Sequence, residues 1–295
     1  MSRLIDVGNC KKYNIIMAVK LNLPSKIIIF IYALICAFWI SLVIISKYSL
    51  IDSQLLETIR HFTQIPLVIL PLTGGIIGLR NSFHWGGLKS VVGRSSLALS
   101  LGLIAWSGGM IIWNYFLFFT TVEVPYPSWA DAIFILSWPL WTYGIWKLSE
   151  AIGARFALRK VSKSFAVLPI TIILLSIYLL VYVARGGITY NNPLKLFFDL
   201  FYPLGDIVIL TATTSAYFLS RNFLGGMYRV PILTLLSGFV LNYFSDFLFS
   251  YTTTNGTYYN GHFVDFLFTT TMFVLSISLT MISPDFLNSQ IREEK

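Results

Sequence analysis

The chain has 295 residues, 56% of them hydrophobic and 12% charged, with a mean hydropathy of +0.73. Soluble domains carry about 25% charged residues, so this composition excludes a water-soluble globular protein and points to a polytopic membrane protein. The net charge of +8 sits in loops between apolar runs, so it is not a nucleic-acid-binding signal.

Apolar runs of about 17–25 residues mark spans. Eight are expected, at 26–46, 63–79, 95–120, 129–147, 165–184, 196–218, 230–251 and 262–283. The predicted fold is all-α, a bundle of eight transmembrane helices in one domain, 26–283, between short tails, 1–25 and 284–295. Lys26 followed by about 20 apolar residues exceeds the length of a signal-peptide core, so the first span reads as a retained anchor. Cys10 lies in the tail and Cys36 in span 1, and no disulfide between them is expected. With the N-terminus inside, inner segments hold 17 basic residues and outer segments 4, which predicts both termini in the cytoplasm.

Span 2 carries Pro71 and a Gly74-x-x-x-Gly78 face suited to close helix contact. Span 3 carries Gly109 and Asn114, and span 4 opens on Asp131 behind Pro127-Ser128. Span 6 holds Tyr202-Pro203-Leu204-Gly205-Asp206, and Pro203 is expected to kink it. Asp206 falls near mid-span, where a lipid-facing aspartate costs at least about 2.5–3.5 kcal/mol, so it should face protein. Span 7 carries Gly238, Asn242 and Asp246, and span 8 opens on Asp265. Asn255-Gly256-Thr257, between spans 7 and 8, is a glycosylation sequon or simply a polar turn. The order Pro71, Asn114, Asp131 recurs as Pro203, Asn242, Asp265, which suggests two tandem four-span repeats, 26–147 and 165–283, in parallel orientation.

Helical spacing gathers polar groups into stripes: Asp199 with Asp206, Asn242 with Asp246, Ser107 with Asn114, and Asp265 with Thr269 and Ser276. These predict an outward-facing polar cleft, rimmed by Tyr126, Trp129, Tyr190, Tyr251, Tyr258 and Tyr259. The candidate ligand-binding residues are Asp206, Asp246, Asp265, Asp131, Asn242, Asn114 and Tyr202. Each has a structural reading beside the functional one. Asp131 sits in a Ser-x-x-Asp capping box, Asn114 and Asn242 suit helix-to-helix bonds, and the tyrosines suit an interfacial belt. Only Asp206 and Asp246 have no helix start or loop to explain them. No span interior holds a lysine, and HExxH, Walker and GxGxxG patterns are absent, so no cofactor and no metal centre is expected.

PYPSWADAIFILSWPLW at 125–141, FDLFYPLGDIVIL at 198–210, and FSDFLFSY with YYNGHFVDFLF at 244–268 resemble the multi-span sensor-type membrane regions of prokaryotic signalling proteins. Such regions precede diguanylate cyclase or histidine kinase domains. The matching positions are Pro127, Ser128, Asp131, Pro139, Tyr202, Pro203, Asp206, Asp246, Tyr251, Gly261 and Asp265. The resemblance implies a sensor-like module, here stand-alone, that binds a small molecule or lipid from the outer side and signals through a separate kinase or cyclase. The alternatives are a carboxylate-dependent lipid hydrolase, which a weaker likeness to lysoplasmalogenase-type enzymes suggests, and a structural subunit. The lipid bilayer is the expected partner in every case, and nucleic acid in none.

Overall fold

The computed structural model describes residues 21–121, 124–152, 192–220 and 229–284, with 173 and 286 besides. Helix α1 (Leu23–Tyr48) starts on Asn22, whose side chain accepts the Ser25 amide, and ends on Ser49 in the left-handed region at φ 47°. Helix α2 (Ser53–His61), capped by Asp52, passes through a 3-10 turn, Phe62–Gln64, into α3 (Pro66–His84). Helix α4 (Val91–Phe119) is capped by Ser90. Then come α5 (Trp129–Phe134), α6 (Ser137–Ala151), α7 (Pro193–Ser220), α8 (Arg229–Thr254) and α9 (Phe263–Met281).

Among the described residues, six helical stretches are long and apolar enough to cross a membrane: 23–48, 53–84, 91–119, 193–218, 230–254 and 263–281. The protein is therefore a multi-pass membrane protein built as an all-α bundle. The 129–147 run departs from the single helix expected there, because it breaks between α5 and α6 at Ile135–Leu136. Pro139 explains the break: it has no N–H for the Ile135 carbonyl, and its ring crowds that carbonyl. The 63–79 run is longer than expected, since α2 and the 3-10 turn extend it back to Ser53. Helices α3 and α7 run through Pro71 and Pro203. The expected span at 165–184 lies outside the described residues.

The helices close into a ring. Each of α3, α4, α6, α7, α8 and α9 packs on the next, and α9 packs back on α3. Helix α5 leans on α4, and α1 lies outside the ring against α9 and α3. The free side of α1 shows Ile27, Phe30, Leu34, Ile40 and Val43, an apolar face for lipid. The ring centre is filled by Leu99, Leu103, Trp141, Leu235, Phe239 and Leu275, with no space for a water molecule between them.

Helix α3 holds the ring together. A side chain at Gly74 would overlap Ser276 of α9, and one at Gly78 would overlap Ser100 of α4. The backbones meet that closely because glycine has no Cβ, and the gain in lipid is dispersion. Small hydroxyls then bond across the contact: Ser276 Oγ donates to the Leu70 carbonyl at 2.8 Å, Ser107 Oγ to Val68 at 2.9 Å, and Ser96 Oγ to Gly78 at 3.0 Å. In return, Asn81 Nδ2 donates to the Leu279 carbonyl of α9 at 2.9 Å.

Gly78→Leu should overfill the α3–α4 contact and destabilise the fold by about 1–3 kcal/mol. A thermal melt in detergent checks this, and an unchanged midpoint would place Gly78 against lipid instead.

Candidate functional site

The expected polar cleft resolves into two separate groups of side chains. The first lies between α5, α6, α7 and α8. Gly205 lets it form, because a Cβ there would overlap the Trp138 indole. Trp138 can therefore lie flat on α7, and its Nε1 donates to Asp206 Oδ1 at 3.0 Å. Asp206 is buried, as the cost of a charge in lipid requires. The Asp246 carboxyl of α8 stands within hydrogen-bonding reach of the Asp206 carboxyl. One turn before it, Asn242 donates from Nδ2 to Asp246 Oδ2 at 2.6 Å. No basic side chain among the described residues pairs with either acid; the ion pair they do form is Lys147–Glu150, at 2.9 Å.

One turn before Asp206, Tyr202 donates its hydroxyl to Asp131 Oδ1 at 2.7 Å, and its ring lies 5.1 Å from that of Trp138. Asp131 also closes the capping box of α5, accepting the Ser128 amide on Oδ2 at 2.7 Å. The cap and the cross-helix bond thus use different oxygens of one carboxylate. A continuous polar and aromatic path runs from the start of α5 through Tyr202 and Trp138 to the acid pair at mid-helix.

The second group joins α9 to the start of α3. Asp265 is buried and accepts three donors: Gln64 Nε2 at 2.9 Å, the Tyr258 hydroxyl at 2.9 Å and the Gly261 amide at 2.8 Å. Gly261 supplies that amide from φ 82°, a left-handed turn that glycine adopts without strain. Burial and the neighbouring Asp265 charge push the Tyr258 phenol well above its usual range, so Tyr258 remains a donor at neutral pH. Asn114 belongs here as well, since its Nδ2 donates to the Gln64 carbonyl at 3.3 Å and the Met110 carbonyl at 2.8 Å.

The seven candidate residues therefore divide. Asp131, Tyr202, Asp206, Asn242 and Asp246 come together, while Asp265 and Asn114 lie in the other group. The polar stripes of α4 and α9 face α3 as helix-to-helix bonds, which is why they do not open on a cleft. Of the expected rim, Trp129 and Tyr126 are exposed, Tyr259 stacks with the Arg60 guanidinium at 4.8 Å, and Tyr258 is a partner of Asp265. Tyr190 and the Asp199 side chain lie outside what the structure describes. Sequence reasoning missed Trp138 and Gln64 as site residues. Trp138 carried a usable signal, being seven residues after Asp131 and beside Pro139. Gln64 is a lone amide at the start of an apolar run.

Comparison with protein-family models, with curated proteins and with solved structures finds no match.

Groups that share a site couple, and groups without common partners add. Asp206→Asn and Asp246→Asn together should depart from the sum of their single effects by about 0.5–3 kcal/mol, whereas Asp206→Asn with Asp265→Asn should add to within about 0.5 kcal/mol. Denaturation of the three single and two double variants in detergent measures both. Additivity in the first pair would mean that the two carboxyls do not interact.

Proposed function

We propose that this chain is a sensor-like, ligand-binding membrane module whose site is the Asp206–Asp246 pair with Asn242, Trp138, Tyr202 and Asp131. The observation that carries this reading is a pair of carboxyls, Asp206 buried and Asp246 half-buried, with no basic partner among the described residues and with Trp138 of the neighbouring helix bonded to Asp206. A ligand at the pair acts on α6, α7 and α8 at once, and the Tyr202–Asp131 bond extends its effect to the start of α5. The likeness to sensor-type membrane regions supports a kinase or cyclase as the output. Asp265, with its three donors, takes a structural part beside this site.

The eight-span count, both termini inside and the tandem repeat belong to the same proposal. The ring supports the repeat. Matching α3 with α7, α4 with α8 and α5–α6 with α9 turns every neighbour contact of the ring into another contact of the ring. Asp131 and Asp265 then correspond, each three residues after its helix cap and each bonded across to the other half. The acid pair has no such counterpart. Counting from Pro71 and Pro203, Gly74 stands opposite Asp206; counting from Asn114 and Asn242, Phe118 stands opposite Asp246. A packing duty common to both halves therefore does not account for the pair.

In nanodiscs, Asp206→Asn and Asp246→Asn should leave a folded protein that no longer shows the ligand-induced thermal shift or stimulates a co-purifying kinase or cyclase. Turnover of a lipid substrate that both substitutions abolish would replace this reading with the hydrolase. A loss of stability alone would leave a structural subunit. For topology, Thr121→Cys and Asn255→Cys should react with an impermeant thiol reagent in intact cells and Lys160→Cys should not; the reverse pattern inverts the bundle.

A further inference from the structure

The site's oxygens narrow its ligand, and this inference rests on the ligand-binding reading above. We infer that Asp206, Asp246 and Asn242 bind one hard monovalent cation, with sodium as the probe. Trp138 occupies Asp206 Oδ1 and Asn242 occupies Asp246 Oδ2. The two carboxyls otherwise bond each other, and no further side chain among the described residues donates to either. Asn242 Oδ1 is a third oxygen, buried and with no hydrogen-bond partner, on a residue only 1% exposed. The two arms of an amide end about 2.3 Å apart. With Nδ2 at 2.6 Å from Asp246 Oδ2, the unpartnered oxygen lies within about 5 Å of that carboxyl. A buried acceptor with no donor, at the edge of two carboxyls with no basic partner among the described residues, calls for positive charge rather than another acceptor.

The donor set identifies the kind of cation. All three atoms are hard oxygens, and no cluster of three His, Cys, Asp or Glu side chains forms among the described residues, so this is not a site for a soft or zinc-like ion. Calcium takes 6–8 oxygens, and magnesium demands a near-ideal octahedron with several retained waters. Three oxygens in a packed helix interface suit a singly charged ion with looser demands. That ion sits where the two carboxyls would otherwise share a proton.

The test uses the full-length protein in nanodiscs, with sodium replacing choline at constant ionic strength. Radioactive sodium should bind saturably at about one ion per chain, and the melting midpoint should rise by about 4–6 °C on going from sodium-free buffer to 300 mM sodium. Asp206→Asn and Asp246→Asn should each abolish both effects, and Asn242→Ser, a milder change, should weaken binding about tenfold or more. Absence of saturable binding to the wild-type protein overturns the proposal whether or not the variants fold, and leaves a shared proton as the occupant. A midpoint shift produced equally by choline, or only by calcium or magnesium, also overturns it. Failure here with an intact response to an organic ligand leaves the module reading standing. Sodium binding without any ligand response or partner supports the cation site and removes the module reading.

Discussion

The fold depends on how closely the backbone of α3 can meet α4 and α9. In a bilayer, the hydrophobic effect does not press helices together, because lipid is as apolar as leucine. Association has to come from dispersion at short range and from hydrogen bonds that lipid cannot offer. Gly74 and Gly78 remove the side chains that would hold the backbones apart, and Ser276 and Ser100 occupy the space gained. Once the backbones are close, short hydroxyls such as Ser276 and Ser107 reach carbonyls on the facing helix. The same device recurs across the ring, where Gly205 admits an indole instead of a hydroxyl. A contact that on α3 admits a hydroxyl to a backbone carbonyl therefore brings, on α7, an indole donor to a carboxyl group.

Much of this was legible in the sequence, for reasons that differ by level. Hydropathy depends only on composition in a window, so the long apolar runs appear as helices close to where they were expected. The Gly74–Gly78 face was legible because close approach in lipid leaves glycine little competition. The break at Ile135–Leu136 was harder to read, since hydropathy does not register the missing N–H of Pro139. Helical spacing put Ser107 with Asn114, and Asp265 with Ser276, correctly on common faces. It could not say which neighbour each face meets, and both meet α3 rather than a cleft. Trp138 escaped notice because its partner is 68 residues away, a pairing that only the packing of α6 on α7 creates.

Asp131 shows why alternatives read from sequence need not exclude each other. A capping carboxylate needs one oxygen for the backbone, which leaves the second free for another helix. Ser128 takes the first and Tyr202 the second. A cap normally stabilises only its own helix start, by about 1 kcal/mol. Here it also fixes the carboxylate's direction, so the short α5 presents a rigid acceptor to α7. That rigidity links the end of the ring to its middle, because Tyr202 is one turn from Asp206.

The buried acids separate most clearly by how their charge is met. Asp265 accepts a side-chain amide, a phenol and a backbone amide. Such a carboxylate is stabilised by fixed donors and needs nothing further. Asp206 and Asp246 each take a single donor from the described side chains and face one another. Setting a buried and a half-buried carboxyl side by side with so few donors is costly, and well-packed apolar residues at those positions would hold the helices at least as firmly. Helix adhesion therefore explains Asp265 and does not explain the pair. What the pair has in place of further fixed donors is its own mutual bond, with the unpartnered Oδ1 on Asn242, the residue that donates to Asp246.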